Sequence, residues 1–235
     1  MSDNQVTEDL VRPALPDPVV RGRVIAVLRS PDPVQLDAVV DVLVEEGFRA
    51  IELALTTPNA VEHLSRLRRR VGSEVSLGAG TVTTPNHAAA AIEAGAAFLL
   101  APTVALDACA WATARGVPFV SGAFTPTEAL AAWEAGAAAI KLFPANFLGP
   151  DAIPAWRAPL PEIQFIPTGG ISTGDAMQWL NLGCLAVGIG SPLVGDALEG
   201  GDLTALRNRG RGLLEQVSGA PSAADESATR SSGSP

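Results

Sequence analysis

Glycine recurs at one kind of boundary in this chain: Glu45-Glu46-Gly47-Phe48, Glu93-Ala94-Gly95-Ala96, Glu134-Ala135-Gly136-Ala137 and Asn181-Leu182-Gly183-Cys184. In each, a helix-like stretch stops and an apolar run begins. Glycine takes the left-handed conformation that closes a helix, so each tetrapeptide reads as a helix C-terminus handing over to a strand. The helix–Gly–strand unit spans about 20–25 residues, the size of a βα repeat. Short apolar runs over 24–28, 50–55, 75–80, 97–101, 117–120, 138–143, 163–167 and 185–189 supply eight strands. Helical patterns lie between them, over 34–46, 59–70, 86–94, 106–115, 127–135, 151–158 and 174–182, and a last helical region covers 192–217. Parallel strands covered on both faces read as near-continuous apolar runs, and these do. Eight strands, each followed by a helix, predict a single-domain α/β fold, a (β/α)8 TIM barrel over 21–217. Residues 1–20 are expected to form an N-terminal extension outside the barrel, with one helical turn. The Ser/Ala/Gly-rich stretch 218–235 is expected to be a disordered tail.

A formal net charge of −9 argues against a general nucleic-acid binder, which needs a basic surface for phosphates. The one basic cluster, Arg66 with Arg68, Arg69 and Arg70, closes a predicted helix, where cations suit the macrodipole. No apolar run reaches the ~20 residues of a membrane span, and the acidic, polar N-terminus is unlike a signal peptide. Cys109 and Cys184 lack metal-ligand spacing and suggest no disulfide framework, so a reducing, cytoplasmic location is expected. His63 and His87 fall on helical stretches away from the strand ends, which predicts no metal site. Trp111, Trp133, Trp156 and Trp179 also fall on helices and read as helix-to-barrel or subunit packing.

Barrel enzymes assemble their sites at the C-terminal ends of the strands. In order, those ends deliver Arg29; Glu52 with Thr56; Gly80-Thr81; Pro102; Ser121-Gly122; Lys141 with Phe143; Thr168-Gly169-Gly170; and Gly190-Ser191. Lys141 is the only lysine among sixteen basic residues, and it interrupts an apolar strand. Glu52 interrupts another. Strand periodicity puts Lys141 on one face with Ala139 and Phe143, and Glu52 with Ala50 and Ala54. Small residues beside each charge leave room for it inside the barrel. An amine held there loses hydration, which favours the neutral, nucleophilic form needed for a carbonyl Schiff base. Arginine stays protonated and cannot serve. A purely structural buried ion pair is the alternative, but such pairs stabilise less than apolar packing. Glycines at the ends of the seventh and eighth strands match the usual phosphate position of barrels, where bare backbone N–H groups meet an anion.

The strand ends "VIAVLR", "IELALTTP", "GAGTVT", "TPTEAL", "IKLFPAN", "PTGGIS" and "VGIGS", in this order, resemble the 2-keto-3-deoxy-6-phosphogluconate (KDPG) aldolase family. That family also includes 2-keto-3-deoxy-6-phosphogalactonate and 4-hydroxy-2-oxoglutarate aldolases. The resemblance runs from Arg23 to about Leu198. It implies a class I lyase that needs no cofactor and releases pyruvate and a phosphorylated aldehyde. It assigns the Schiff base to Lys141 and the general acid/base role to Glu52. Thr81, Pro102 and Phe143 match residues around the pyruvate moiety, and Arg29 matches an arginine near the pyruvyl carboxylate. Thr168, Gly169, Gly170, Gly190 and Ser191 match positions that hold the distal hydroxyls and phosphate. A homotrimer is implied as well. Thr56 stands where some members carry arginine and others small polar residues, so the sugar acid stays open. Ser121-Gly122 replaces a more usual Pro-Gly.

Two other readings remain at this level. A phosphate-gripping epimerase or isomerase would use Lys141 and Glu52 without a Schiff base. A non-catalytic trimeric scaffold would merely retain the barrel.

Overall fold

A computed structural model describes residues 11–218. The predicted disordered tail therefore lies outside the described residues, apart from Ser218. After a first short helix, strands alternate with helical segments, two of them between the sixth and seventh strands and three after the eighth. They are α1 (Asp17–Gly22), β1 (Val24–Leu28), α2 (Leu36–Glu46), β2 (Ala50–Ala54), α3 (Ala60–Arg70), β3 (Ser76–Gly80), α4 (Pro85–Glu93), β4 (Phe98–Leu100), α5 (Leu106–Thr113) and β5 (Phe119–Ala123). There follow α6 (Pro126–Glu134), β6 (Ala139–Leu142), α7 (Ala145–Leu148), α8 (Ala152–Arg157), β7 (Phe165–Pro167), α9 (Ala176–Asn181), β8 (Val187–Ile189), α10 (Ser191–Val194), a 3-10 turn (Ala197–Glu199) and α11 (Leu203–Ser218).

All eight strands are parallel, and β1 pairs with both β2 and β8. Between β7 and β8 the ring is held by one bridge, Thr168 opposite Gly188, and by Leu185 N–H donating to the Phe165 carbonyl at 2.9 Å. The result is the expected TIM barrel.

Strand alternation divides the core in two. Ile51 and Leu53 of β2, Ile140 and Leu142 of β6, and Phe165 of β7 face outward into one cluster with the helices. Their neighbours Ala50, Ala139 and Ile166 face inward and join Ile25, Phe98, Leu100 and Val120 in a separate interior cluster. Leu15 and Val19 belong to that interior cluster too. The stretch expected outside the barrel thus plugs its N-terminal end, since an open ring of apolar side chains would otherwise face water.

Local signals explain the helix ends. Thr84 and Thr125 each precede a proline and accept a hydrogen bond from the backbone N–H three residues on, at 3.2 Å in both cases. Glu128 reaches back past the cap and accepts from Phe124 N–H at 2.8 Å. Gly47, Gly95, Gly136 and Gly183 all have positive φ, as their punctuation predicts. The basic cluster stays on the surface. Arg66 and Arg70 of α3 pair with Asp37 and Asp41 of α2, and Arg68 donates to the Val71 and Val75 carbonyls of the loop between α3 and β3. Trp156 and Trp179 are buried against the barrel, whereas Trp111 and Trp133 carry the stacked guanidiniums of Arg115 and Arg12.

Two expectations need correction. Ser121-Gly122 lies inside β5 rather than beyond its end. A Cβ at Gly122 would strike the Pro102–Thr103 backbone, so the strand can extend here only with glycine. The region 192–217 is no single helix, because Gly195 and Gly200 take positive φ and split it into α10, the 3-10 turn and α11. α7, just after β6, was not foreseen, since Pro144 hides so short a turn from periodicity.

Candidate active site

β2 and β6 stand four strands apart in a ring of eight, on opposite sides of the barrel axis. Glu52 is paired in register between Val27 and Gly78, and Lys141 between Gly122 and Ile166. Both point inward, and barrel interiors are filled in layers drawn from alternate strands. The two side chains meet across the axis. Lys141 Nζ lies 3.3 Å from Glu52 Oε1 and 3.5 Å from Oε2. Lys141 is 4% exposed and Glu52 2%.

Glycine makes the meeting possible. An added Cβ at Gly80 would collide with the Glu52 carboxylate, so the β3 backbone cedes the space the carboxylate occupies. Phe143 lies on the lysine's other flank, with its ring centroid 5.6 Å from Nζ. Thr81, the residue after β3, sits at φ 61, a left-handed conformation rare for a β-branched residue. Such a conformation costs on the order of 1–3 kcal/mol and persists where surrounding structure fixes it. Here it turns Thr81 into the wall of the site.

The pair sits at the base of a cavity of about 850 Å³ opening at the C-terminal ends of the strands. All twelve residues assigned to the site from the sequence line it: Arg29, Glu52, Thr56, Thr81, Pro102, Lys141, Phe143, Thr168, Gly169, Gly170, Gly190 and Ser191. The β7 glycines adopt φ 93 and 70, and Gly169 runs against the Phe143 ring, where a Cβ would lie 3.0 Å from it. Ala145 and Asn146 N–H groups donate to the Thr168 and Gly169 carbonyls at 2.9 and 3.1 Å. The unforeseen α7 therefore stitches the β6 rim to the glycine loop.

Other lining residues escaped sequence reasoning. Val27, Ile171, Val194 and Leu198 add apolar wall, and Glu199 adds a second carboxylate. The glycines at 195, 200 and 201 were the available signal that 192–217 breaks into turns at the mouth.

A smaller hollow of about 320 Å³ lies beside the cavity and shares Thr56 and Thr81 with it. His87 lines this hollow, its Nδ1 3.3 Å from Thr83 Oγ1. His63 remains apart from both cavities. Among the described residues no cluster of three or more His, Cys, Asp or Glu could hold a metal ion, and no helix is long and apolar enough to cross a membrane. Burial pushes the Cys109 thiol up to about 11 and the Cys184 thiol up to about 12.

Residues 17–208 match the family described as KDPG and KHG aldolase. The chain belongs to that aldolase family. It is 34% identical over 190 residues to a probable 2-dehydro-3-deoxy-6-phosphogalactonate aldolase of Rhizobium meliloti, covering 80% of this chain and 90% of the relative. It is 30% identical over 197 residues to the 2-dehydro-3-deoxy-phosphogluconate aldolase of Pseudomonas aeruginosa, covering 83% of this chain and 89% of the relative. Among solved structures, the 2-keto-3-deoxy-6-phosphogluconate aldolase of Zymomonas mobilis with 3-phosphoglycerate superposes with a TM-score of 0.75 at 26% identity, over 86% of this chain and 96% of that one. Family membership makes this chain a carbon–carbon lyase of the aldolase type.

Proposed function

We propose that this aldolase-family chain is a class I Schiff-base lyase that cleaves a KDPG-like 2-keto-3-deoxy-6-phospho sugar acid to pyruvate and glyceraldehyde 3-phosphate. The observation that carries the reading is the Lys141–Glu52 contact of 3.3 Å, deep in the barrel and open to a single cavity. Neutral Lys141 attacks the C2 carbonyl, and loss of water leaves an iminium, a cation able to receive an electron pair. Glu52 takes the C4 hydroxyl proton as the C3–C4 bond breaks. The bonding pair flows into the iminium, giving an enamine, and the aldehyde departs. The protonated Glu52 then returns its proton to C3, and water hydrolyses the resulting iminium to pyruvate and free lysine. One carboxylate serves both transfers because its protonation state alternates through the cycle.

The surrounding residues divide the substrate between them. Thr81, Pro102 and Phe143 enclose the three carbons that become pyruvate, and Arg29 faces the pyruvyl carboxylate. Thr56 lies along the chain where the sugar acids differ. Thr168, Gly169, Gly170, Gly190 and Ser191 take the distal hydroxyls and phosphate, a remote grip whose binding energy orients the reacting bond. A homotrimer belongs to the same proposal. Phe124 beyond β5 and Phe147 on α7, both exposed, offer apolar surface for contact between copies.

Borohydride added during turnover should reduce the iminium and leave a pyruvyl adduct on Lys141, read by mass spectrometry. No adduct under those conditions would sink the mechanism. Pyruvate release coupled to lactate dehydrogenase, run across gluconate- and galactonate-derived phospho acids and 4-hydroxy-2-oxoglutarate, ranks the substrates.

A further inference from the structure

The second carboxylate of the mouth, Glu199, has no part in the lysine chemistry. It ends the 3-10 turn Ala197–Glu199 and lines the cavity, as Val194 and Leu198 do. Its backbone is held firmly. Ala197 and Leu198 are buried, the Leu198 carbonyl accepts from Gln35 N–H at 3.1 Å, and Glu199 N–H donates to the Asp196 carbonyl at 3.1 Å. Its carboxylate is held as well. Ser30, 1% exposed, accepts from Asp32 N–H at 3.0 Å, which leaves its hydroxyl proton to donate to Glu199 Oε1. Ser30 N–H in turn approaches Thr57 Oγ1 at 3.4 Å, so the rims of β1 and β2 and the turn form one linked group.

One carboxylate oxygen is thus engaged by the protein, while a carboxylate has lone pairs for several donors and no donor of its own. The ionisable groups lining the cavity are Arg29, Lys141, Glu52 and Glu199, two of each sign. A phosphorylated keto acid brings one carboxylate and a phosphate of roughly −1.5 to −2. Fixed negative charge on the wall opposes that phosphate and suits a neutral hydroxyl.

We propose that Glu199 is a specificity-determining residue: it accepts a hydrogen bond from a neutral hydroxyl on the substrate's distal half and repels phosphate from its corner of the mouth. The preference between phosphorylated and unphosphorylated substrates is then set by this carboxylate. The inference rests on the aldolase reading above and is tested apart from it.

Glu199→Gln keeps the shape and an acceptor oxygen but removes the charge. Relative to wild type, kcat/KM for the phosphorylated acid should rise about five-fold against its unphosphorylated parent, and glycerol 3-phosphate should bind about five-fold tighter by titration calorimetry, with Tm unmoved. A merely structural strap would shift Tm and change both substrates alike, which overturns the proposal. If wild type releases pyruvate but neither the substrate ratio nor glycerol 3-phosphate binding moves, this inference falls alone. If wild type cleaves neither acid while Glu199→Gln still tightens glycerol 3-phosphate, the aldolase reading falls and the carboxylate's discrimination against phosphate stands.

Discussion

At the N-terminal end of the barrel, Leu15 and Val19 cover Ile25, Phe98 and Val120; at the other end, Lys141 and Glu52 face each other beneath an open cavity. The two ends are built from the same strands. On β6, Ala139 belongs to the apolar floor and Lys141 to the site; on β2, Ala50 and Glu52 divide in the same way. Two residues, roughly 7 Å of strand, separate packing from chemistry. The floor gains from removing carbon from water, whereas the mouth holds charges whose desolvation is costly. A barrel that keeps its floor dry can accommodate a layer of strained and charged groups above it. Substitutions in the two layers should therefore fail in different ways.

The sharpest separation comes from Lys141→Arg. It preserves charge and much of the volume but cannot give a neutral amine. Pyruvate release should fall by at least about 10⁴-fold, as when a covalent nucleophile is removed, while circular dichroism stays that of the folded chain. Retained activity would show that the mouth's chemistry does not run through this amine. Gly80→Ala probes the same layer indirectly. Its new methyl must displace the Glu52 carboxylate, a movable group, so the fold tolerates the change while the proton shuttle shifts. A misplacement of that size should cost about 10²-fold in kcat with little change in Tm. A large drop in Tm with kcat intact would reverse the assignment.

Most of this division was legible in the sequence. Strand ends could be aligned because glycine marked the helix ends, and a lysine and a glutamate interrupting apolar runs revealed which positions face the barrel centre. The cavity gathered all twelve residues for that reason. Three things were hidden. Leu15 and Val19 sit in a short segment with no periodicity to betray that both turn inward. Thr81 resembles any other threonine until its φ of 61 is seen. Glu199 belonged to a stretch whose helical pattern masked the turns that bring it to the mouth. Local pattern fixes which face a regular element buries; it does not reveal where an irregular segment lands.

Phe98→Ala tests the floor. Its ring fills the interior against Gly78, where even a Cβ would collide with it. Emptying that space should destabilise the chain by about 3–5 kcal/mol in denaturant unfolding. At temperatures where the variant is folded, kcat/KM should stay within about three-fold of wild type, since no group touching substrate has moved. A loss as large as that of Gly80→Ala would mean that floor and mouth are mechanically one layer, and the comparison would break.

The smallest effect is expected at the two thiols, which lie in the outer, helix-facing core and in neither barrel layer. Burial disfavours the thiolate, holding Cys109 at about 11 and Cys184 at about 12 in the folded chain. Unfolded thiols ionise near the ordinary value of about 8.5. The folded state therefore favours the protonated form. The stability linked to these groups is complete below that unfolded value and is lost as pH rises through the folded values. At pH 8 both thiols should remain protonated and resist iodoacetamide in the native chain, yet label fully in urea, with pyruvate release unchanged by the native treatment. Rapid native labelling at pH 8 would show that the helical shell opens readily. In that case the dryness of the floor would have to be maintained by the strands and the α1 plug alone.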